Sequence, residues 1–170
     1  MKKKPYILQV CGLKNTGKTT FMNGFTSYLK EKGYIVGTIK HDGHEFQTTH
    51  YTEDNFQHYH AGADTSIVFS DGQWLQIQRE KRTLESFIAD LQEMDIILIE
   101  GCKKEEYPKV ELLRTGISEI PVSNEIGRLA CIIDETYQTY QTYCGNETYL
   151  CKQDTKLFDK VLKLLLNHGK

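Results

Sequence analysis

Gly12-Leu13-Lys14-Asn15-Thr16-Gly17-Lys18-Thr19 satisfies the pattern G-x-x-x-x-G-K-[ST]. Residues of these types at this spacing bind phosphate. The two glycines let backbone N–H groups turn inward around phosphate oxygens, and a following helix N-terminus adds partial positive charge. Lys18 would reach the outer phosphates, and the Thr19 hydroxyl would ligate Mg²⁺. The motif stands directly after a β-rich apolar run, Tyr6 to Val10, and directly before a helical pattern, which is the context this chemistry demands.

A metal at such a loop needs a carboxylate at the C-terminal ends of neighbouring strands. Two acids bracket the apolar run Ile96-Ile97-Leu98-Ile99, Asp95 before it and Glu100 after it. At ~3.3 Å per residue, Asp95 lies roughly 16 Å away on the wrong edge. Glu100 is therefore the Walker-B-type candidate, able to hold a Mg²⁺-bound water or orient an attacking one. The competing reading pairs Glu100 with a nearby lysine at the strand end. Another β-rich run ends on the same edge at Lys40-His41-Asp42-Gly43-His44. There Asp42 could support the metal, while Lys40 and His41 could face a phosphate or a second anion.

Other polar clusters carry weaker signals. Five of the six histidines fall between His41 and His60. Thiolates that would complete a soft-metal site lie elsewhere, so solvated histidines are the expectation. After Glu100 come Lys103, Lys104, Lys109 and Arg114, with Glu105 and Glu106 among them. From charge alone this is an ordinary solvated loop. Cys151-Lys152-Gln153-Asp154 has the lysine and aspartate of a guanine-reading Asn-Lys-x-Asp but not the asparagine. Asp154 is expected to cap the last helix.

The elements that must position these groups follow from periodicity. Phe21, Phe25, Tyr28 and Leu29 define a helix stopped by Gly33, and Tyr34 to Lys40 reads as the next strand. This β–turn–α–β order builds parallel sheets. A short helix is expected from about Asn55 to Ala61, ended by Gly62. Thr65–Ser70 and Trp74–Gln78, joined across Asp71-Gly72-Gln73, read as an antiparallel hairpin. Leu84, Phe87, Ile88 and Leu91 form an amphipathic stripe with Thr83 as N-cap. Ile96 to Ile99 is a strand buried on both faces. Lys109–Leu113, Leu129–Ile133 and a run ending near Cys151 complete the strands. Leu157, Phe158, Val161, Leu162 and Leu165 mark a closing helix. The Tyr/Thr/Gln stretch 137–143 reads as an exposed loop, since no basic residues lie among its tyrosines. The fold expected is α/β: a three-layer α/β/α P-loop NTPase-like arrangement, mostly parallel, with an antiparallel hairpin excursion. No Pro-, Gly- or Ser-rich linker divides the 170 residues, so one nucleotide-binding domain over 1–170 is expected.

Composition bounds the function. Lys+Arg 21 against Asp+Glu 23 gives a net charge of -2, without the footprint of a protein that coats nucleic acid or an anionic membrane. Five cysteines without a CxxC spacing argue against a zinc ribbon or a disulfide framework. The lysine-rich start precedes an apolar stretch too short for a signal core, and no run approaches a membrane span. A cytoplasmic location is expected.

The chain resembles the molybdopterin-guanine dinucleotide biosynthesis protein B (MobB) family of P-loop GTP-binding proteins. The segments that carry the resemblance are GLKNTGKTT (12–20), GTIKHDGH (37–44), AGA (61–63) and ILIEGCKKEEYPKVELLR (97–114). The resemblance implies a homodimer that binds GTP with Mg²⁺ and hydrolyses it weakly at most. It implies an adaptor role for the guanylyltransferase that joins GMP to molybdopterin, with molybdopterin itself a further candidate ligand. By the same resemblance Gly12, Asn15, Thr16, Gly17, Lys18, Thr19 and Thr20 hold phosphates. Glu100 serves the metal site with Thr19 and Asp42. Lys40, His41, Lys103, Lys109 and Arg114 line the surrounding anionic surface. Cys102 stands where the family leads one to expect an aromatic or large apolar residue. Rival readings are a small-metabolite P-loop kinase, a metal-delivering GTPase fed by the histidine segment, and a scaffold with an empty loop. Against the kinase, Arg79, Arg82, Arg114 and Arg128 are scattered and form no lid-like cluster.

Overall fold

A computed structural model of the chain describes residues 4–43, 54–134 and 148–168. The Tyr/Thr/Gln stretch 137–143, His44 and Cys144 lie outside them. The described chain parts into two compact units, 1–41 with 87–170, and 42–86.

The larger unit is built on six parallel strands: β1 (Tyr6–Cys11), β2 (Val36–Lys40), β5 (Ile96–Glu100), β6 (Lys109–Leu112), β7 (Arg128–Ile133) and β8 (Tyr149–Cys151), in the order β2-β5-β1-β6-β7-β8. Every pairing in this sheet is parallel, so all six C-terminal ends share one edge. β1 is flanked by β5 and β6, which puts the ends of three strands beside the glycine-rich loop. The expected α/β arrangement with a mostly parallel sheet is what the chain adopts.

One face of the sheet is closed by α1 (Lys18–Glu31) and α4 (Leu157–His168). Phe21, Phe25 and Leu29 from α1, with Val161 and Leu165 from α4, pack on Leu8, Val10, Ile96, Leu98, Val110 and Ile132. These strand residues alternate, as one face of a pleated sheet requires. Helix α1 ends as its sequence demands. Gly33, at φ 84, donates to Lys30 O at 3.0 Å, and Tyr34 N donates to Leu29 O at 3.1 Å. This cap consumes Tyr34, so β2 starts at Val36 rather than at Tyr34.

The opposite face is different in chemistry. Gln9, Lys109 and Glu111 are buried there, each at 0% exposure, beside Cys11 and Cys131. Irregular segments rather than a helix supply their partners. Asp95 sits at the far end of β5 from Glu100, where its carboxylate accepts from Ile35 N at 2.7 Å.

The smaller unit holds α2 (Asp54–His60) and the antiparallel pair β3 (Thr65–Ser70) and β4 (Gln73–Gln78). Gly62 (φ 118) donates to Tyr59 O at 3.1 Å and Ala63 N to His58 O at 3.2 Å, so Ala61-Gly62-Ala63 is the helix terminator. The Arg79 guanidinium lies 3.9 Å from the centre of the Tyr59 ring and donates to Tyr59 O at 2.7 Å. Phe69 and Trp74 stand opposite each other in the hairpin and are 81% and 69% exposed. Helix α3 (Leu84–Asp90) follows Thr83, whose hydroxyl accepts from Ser86 N at 3.3 Å, the expected N-cap. Among the described residues no helix is long and apolar enough to cross a membrane.

Candidate functional site

The glycine-rich loop leaves β1 at Cys11 and enters α1 at Lys18. Gly12 has φ 137, Asn15 φ 68 and Gly17 φ 95. A Cβ on Gly12 would stand 2.6 Å from Leu112 O and 2.7 Å from Thr16 Oγ1, so the turn accepts only glycine there. Thr16 is buried, and its hydroxyl donates to Leu13 O at 2.9 Å, closing the loop on itself. Gly17 is the N-cap of α1. No side chain caps the helix and no acid lies in its first turn. The first amides of α1 therefore keep their positive end for an outside anion.

Charged groups gather on this loop from across the sheet edge. Lys18 Nζ donates to Leu13 O at 2.7 Å. Burial pushes its pKa below the ordinary lysine value; Glu100 opposes that shift, and Lys103 and Lys40 add to it. The Thr19 hydroxyl is 3.3 Å from both carboxylate oxygens of Glu100. Lys40 Nζ is 3.4 Å from Glu100 Oε1, so the ion pair and the metal-site reading meet on one carboxylate. Lys18 and Lys40 outnumber Glu100 at this edge, beside an uncapped helix. Thr20 is exposed in the first turn of α1. His41 continues the β2–β5 ladder, its N–H donating to Glu100 O at 3.0 Å. Asp42 opens the smaller unit.

Two cations of the 103–114 stretch part company. Arg114 Nη1 donates to Asn15 O at 2.9 Å and so holds the loop at its left-handed residue. Lys109, expected on the anionic surface, is instead fully buried. Its ammonium donates to Glu105 O at 2.6 Å, to Asn124 Oδ1 at 2.5 Å and to Ile126 O at 2.5 Å. It is the first residue of β6, paired with Gln9, on the face that irregular segments cover, and it ties two of them together.

Several residues escape a reading by motif. Gln9 hides in an apolar run, yet its Nε2 donates to Gly101 O at 3.1 Å and Cys102 O at 2.7 Å, anchoring the turn after Glu100. Cys102 in that turn is left-handed, φ 53. Lys152 Nζ lies 3.0 Å from where a Gly17 Cβ would be, so the lysine of the Cys-Lys-Gln-Asp sequence rests on the loop. Asp154 accepts from Lys156 N at 2.8 Å in the turn that starts α4, the capping role expected for it. Lys160, then that amide, holds its carboxyl below the usual range. Among the described residues, no group of three or more His, Cys, Asp or Glu could hold a metal ion.

Cys11, under the loop, has its thiol pushed up to about 11, chiefly by burial, with the Glu111 charge adding to the shift. The folded chain keeps a proton that the unfolded chain releases near 9.0. Its contribution to stability is complete below that pH and is lost as pH rises toward about 11. Iodoacetamide at about pH 8 is expected to label the exposed Cys151 and spare Cys11 in the native protein. Peptide mapping checks this; rapid labelling of Cys11 contradicts it.

A strand, a glycine-rich turn and an uncapped helix beside the carboxylate of a neighbouring parallel strand define an α/β protein of the P-loop type. The chain belongs to the molybdopterin guanine dinucleotide synthesis protein B (MobB) family, whose model matches residues 7–135. It is 40% identical over 111 residues to the probable molybdopterin-guanine dinucleotide biosynthesis adapter protein of Bacillus subtilis (strain 168). That match spans 63% of this chain and just under two thirds, 64%, of the relative. With the molybdopterin-guanine dinucleotide biosynthesis adapter protein of Escherichia coli (strain K12) it shares 31% identity, over 72% of this chain and 73% of that one. The crystal structure of Bacillus subtilis MobB superposes with a TM-score of 0.78 at 30% identity, covering 93% of this chain and 96% of that one.

Proposed function

We propose that this chain is a GTP-binding adapter in the assembly of molybdopterin guanine dinucleotide, serving the guanylyltransferase of that step in the cytoplasm. The observation that carries the nucleotide reading is the meeting of the Thr19 hydroxyl and the Lys40 ammonium on the Glu100 carboxylate, beside Lys18 on the glycine-rich loop and an uncapped helix N-terminus. The adapter role comes from the relatives' names.

The residues present fit Mg²⁺: a hydroxyl and a carboxylate, both hard oxygen donors, already face each other at 3.3 Å. Thr19 and Glu100 would hold the ion. A Mg²⁺ held by these two groups would supply positive charge to offset that of the phosphates. Lys18 exchanges Leu13 O for a phosphate oxygen, Arg114 keeps Asn15 in place, and Lys40 and Lys103 balance the remaining charge. Weak hydrolysis at most is the expectation. The two arginines of the unit that carries the loop are engaged, Arg114 with Asn15 O and Arg128 with Glu111. Neither is poised to stabilise a transferring phosphoryl group.

Competitive titration of GTP, GDP and ATP with and without Mg²⁺ tests this reading. GTP is expected to win, with affinity rising when Mg²⁺ is present. Preference for ATP, or rapid phosphoryl transfer to a pterin or nucleoside acceptor, would overturn it.

The homodimer belongs to the same proposal, and the hairpin supports it. A large apolar pair, Phe69 and Trp74, stands in water on a two-stranded sheet, which is marginal alone. Trp74→Asp is expected to shift sedimentation toward the monomer. An unchanged dimer would remove the hairpin from the interface.

A further inference from the structure

Between β6 and β7 the chain runs from residue 113 to 127 without a helix or strand, and shows water four aliphatic side chains. Ile117 is 39% exposed, Ile120 54%, Val122 41% and Ile126 57%. Such a segment would ordinarily be expected to be mobile and polar. This one is held by buried charge. Glu111 accepts from Val122 N at 2.6 Å and from Ser123 N at 3.2 Å, and its carboxylate lies 3.5 Å from Arg128 Nε. Lys109 grips Asn124 and Ile126. Three charged groups taken out of water cost several kcal/mol each before pairing, and an aliphatic face like the one under α1 and α4 would close the sheet more cheaply. What those charges secure is one backbone path, with its aliphatics turned outward.

Both ends of that path reach the nucleotide loop's surroundings. Arg114 holds Asn15 O. Asn124 donates from its backbone to Lys103 O at 3.2 Å and from Nδ2 to Lys104 O at 2.7 Å, in the turn that follows Glu100. The surface is thus rigidly tied to both the phosphate loop and the metal-site carboxylate.

We infer that segment 114–127 is the docking surface for the guanylyltransferase, which would present an aliphatic patch rimmed by lysine or arginine. This rests on the adapter reading. The charged residues between Thr115 and Gly127 are Glu119 and Glu125. Neither carries an ion pair among the described residues. A basic rim complements them. A second copy does not, because a two-fold contact of this patch with itself sets acid against acid.

The experiment measures binding of the full-length protein to the purified guanylyltransferase of the same organism, by calorimetry, beside GTP affinity and sedimentation. Ile120→Glu with Ile126→Glu is expected to weaken the complex by about tenfold or more, with GTP affinity and oligomeric state unchanged. Glu119→Lys with Glu125→Lys, which alters only surface charge, is expected to weaken it also, most strongly at low salt. Wild-type enzyme affinity in both variants overturns the assignment. So does a loss that tracks a change in the protein's own association state. A wild-type chain that does not bind the enzyme at all overturns the adapter reading, and this surface with it.

Discussion

Glu111→Ala is expected to cost about 3–5 kcal/mol of folding stability, the range for breaking a buried ion pair from one side. The carboxylate is fully buried and accepts from Val122 N, Ser123 N and the Ser123 hydroxyl while facing Arg128. Alanine leaves a guanidinium in the interior without its counter-charge and orphans two amides, that of Ser123 buried and that of Val122 partly so. For a chain of this size the melting temperature should fall by about 6–20 °C. Glu111→Gln keeps an acceptor and loses only charge, so it should fall between wild type and Ala. Denaturant or thermal unfolding checks both. A loss below about 1 kcal/mol would mean that water or a rearranged loop replaces the carboxylate.

The second large effect is on ligand rather than fold. Lys18→Ala is expected to lower GTP affinity by about 100-fold, the equivalent of roughly 2.7 kcal/mol for charge-assisted contacts to phosphate. Stability should barely move, because the ammonium's hydrogen bond in the structure is to Leu13 O at the partly open loop. Titration with GTP and a melting curve on the same sample separate the two. Unaltered affinity would take Lys18 out of the phosphate site. Arg114→Ala should act more mildly, since it reaches the ligand only through Asn15 O.

Glu111 and Lys18 also mark where sequence reasoning reaches and where it stops. Lys18, Thr19 and both loop glycines follow from residue type and spacing, because the loop's geometry is local and needs φ values that few residues adopt. Choosing Glu100 over Asp95 needed only strand rise and the rule that parallel strands end together. The structure sets Asp95 at the opposite end, on Ile35 N. The hairpin, the Gly33 and Gly62 stops and the Thr83 cap are likewise short-range chemistry.

Lys103, Lys109 and Arg114 look alike in the sequence and end in three different places. Strand alternation separates odd from even positions of β6. It does not say that one face will be closed by helices and the other by irregular segments rich in carbonyls. That choice made Lys109 a buried clamp and Glu111 an anchor. It rests on partners far along the chain, such as Gln9 on Cys102, 93 residues away, and Thr19 on Glu100, 81 residues away. The composition and local order of this chain therefore specify the phosphate loop and the strands that flank it. Which cations face the ligand and which brace the fold depends on which loop carbonyls and carboxylates surround each ammonium once the sheet has formed, because a lysine's role is set by those neighbours.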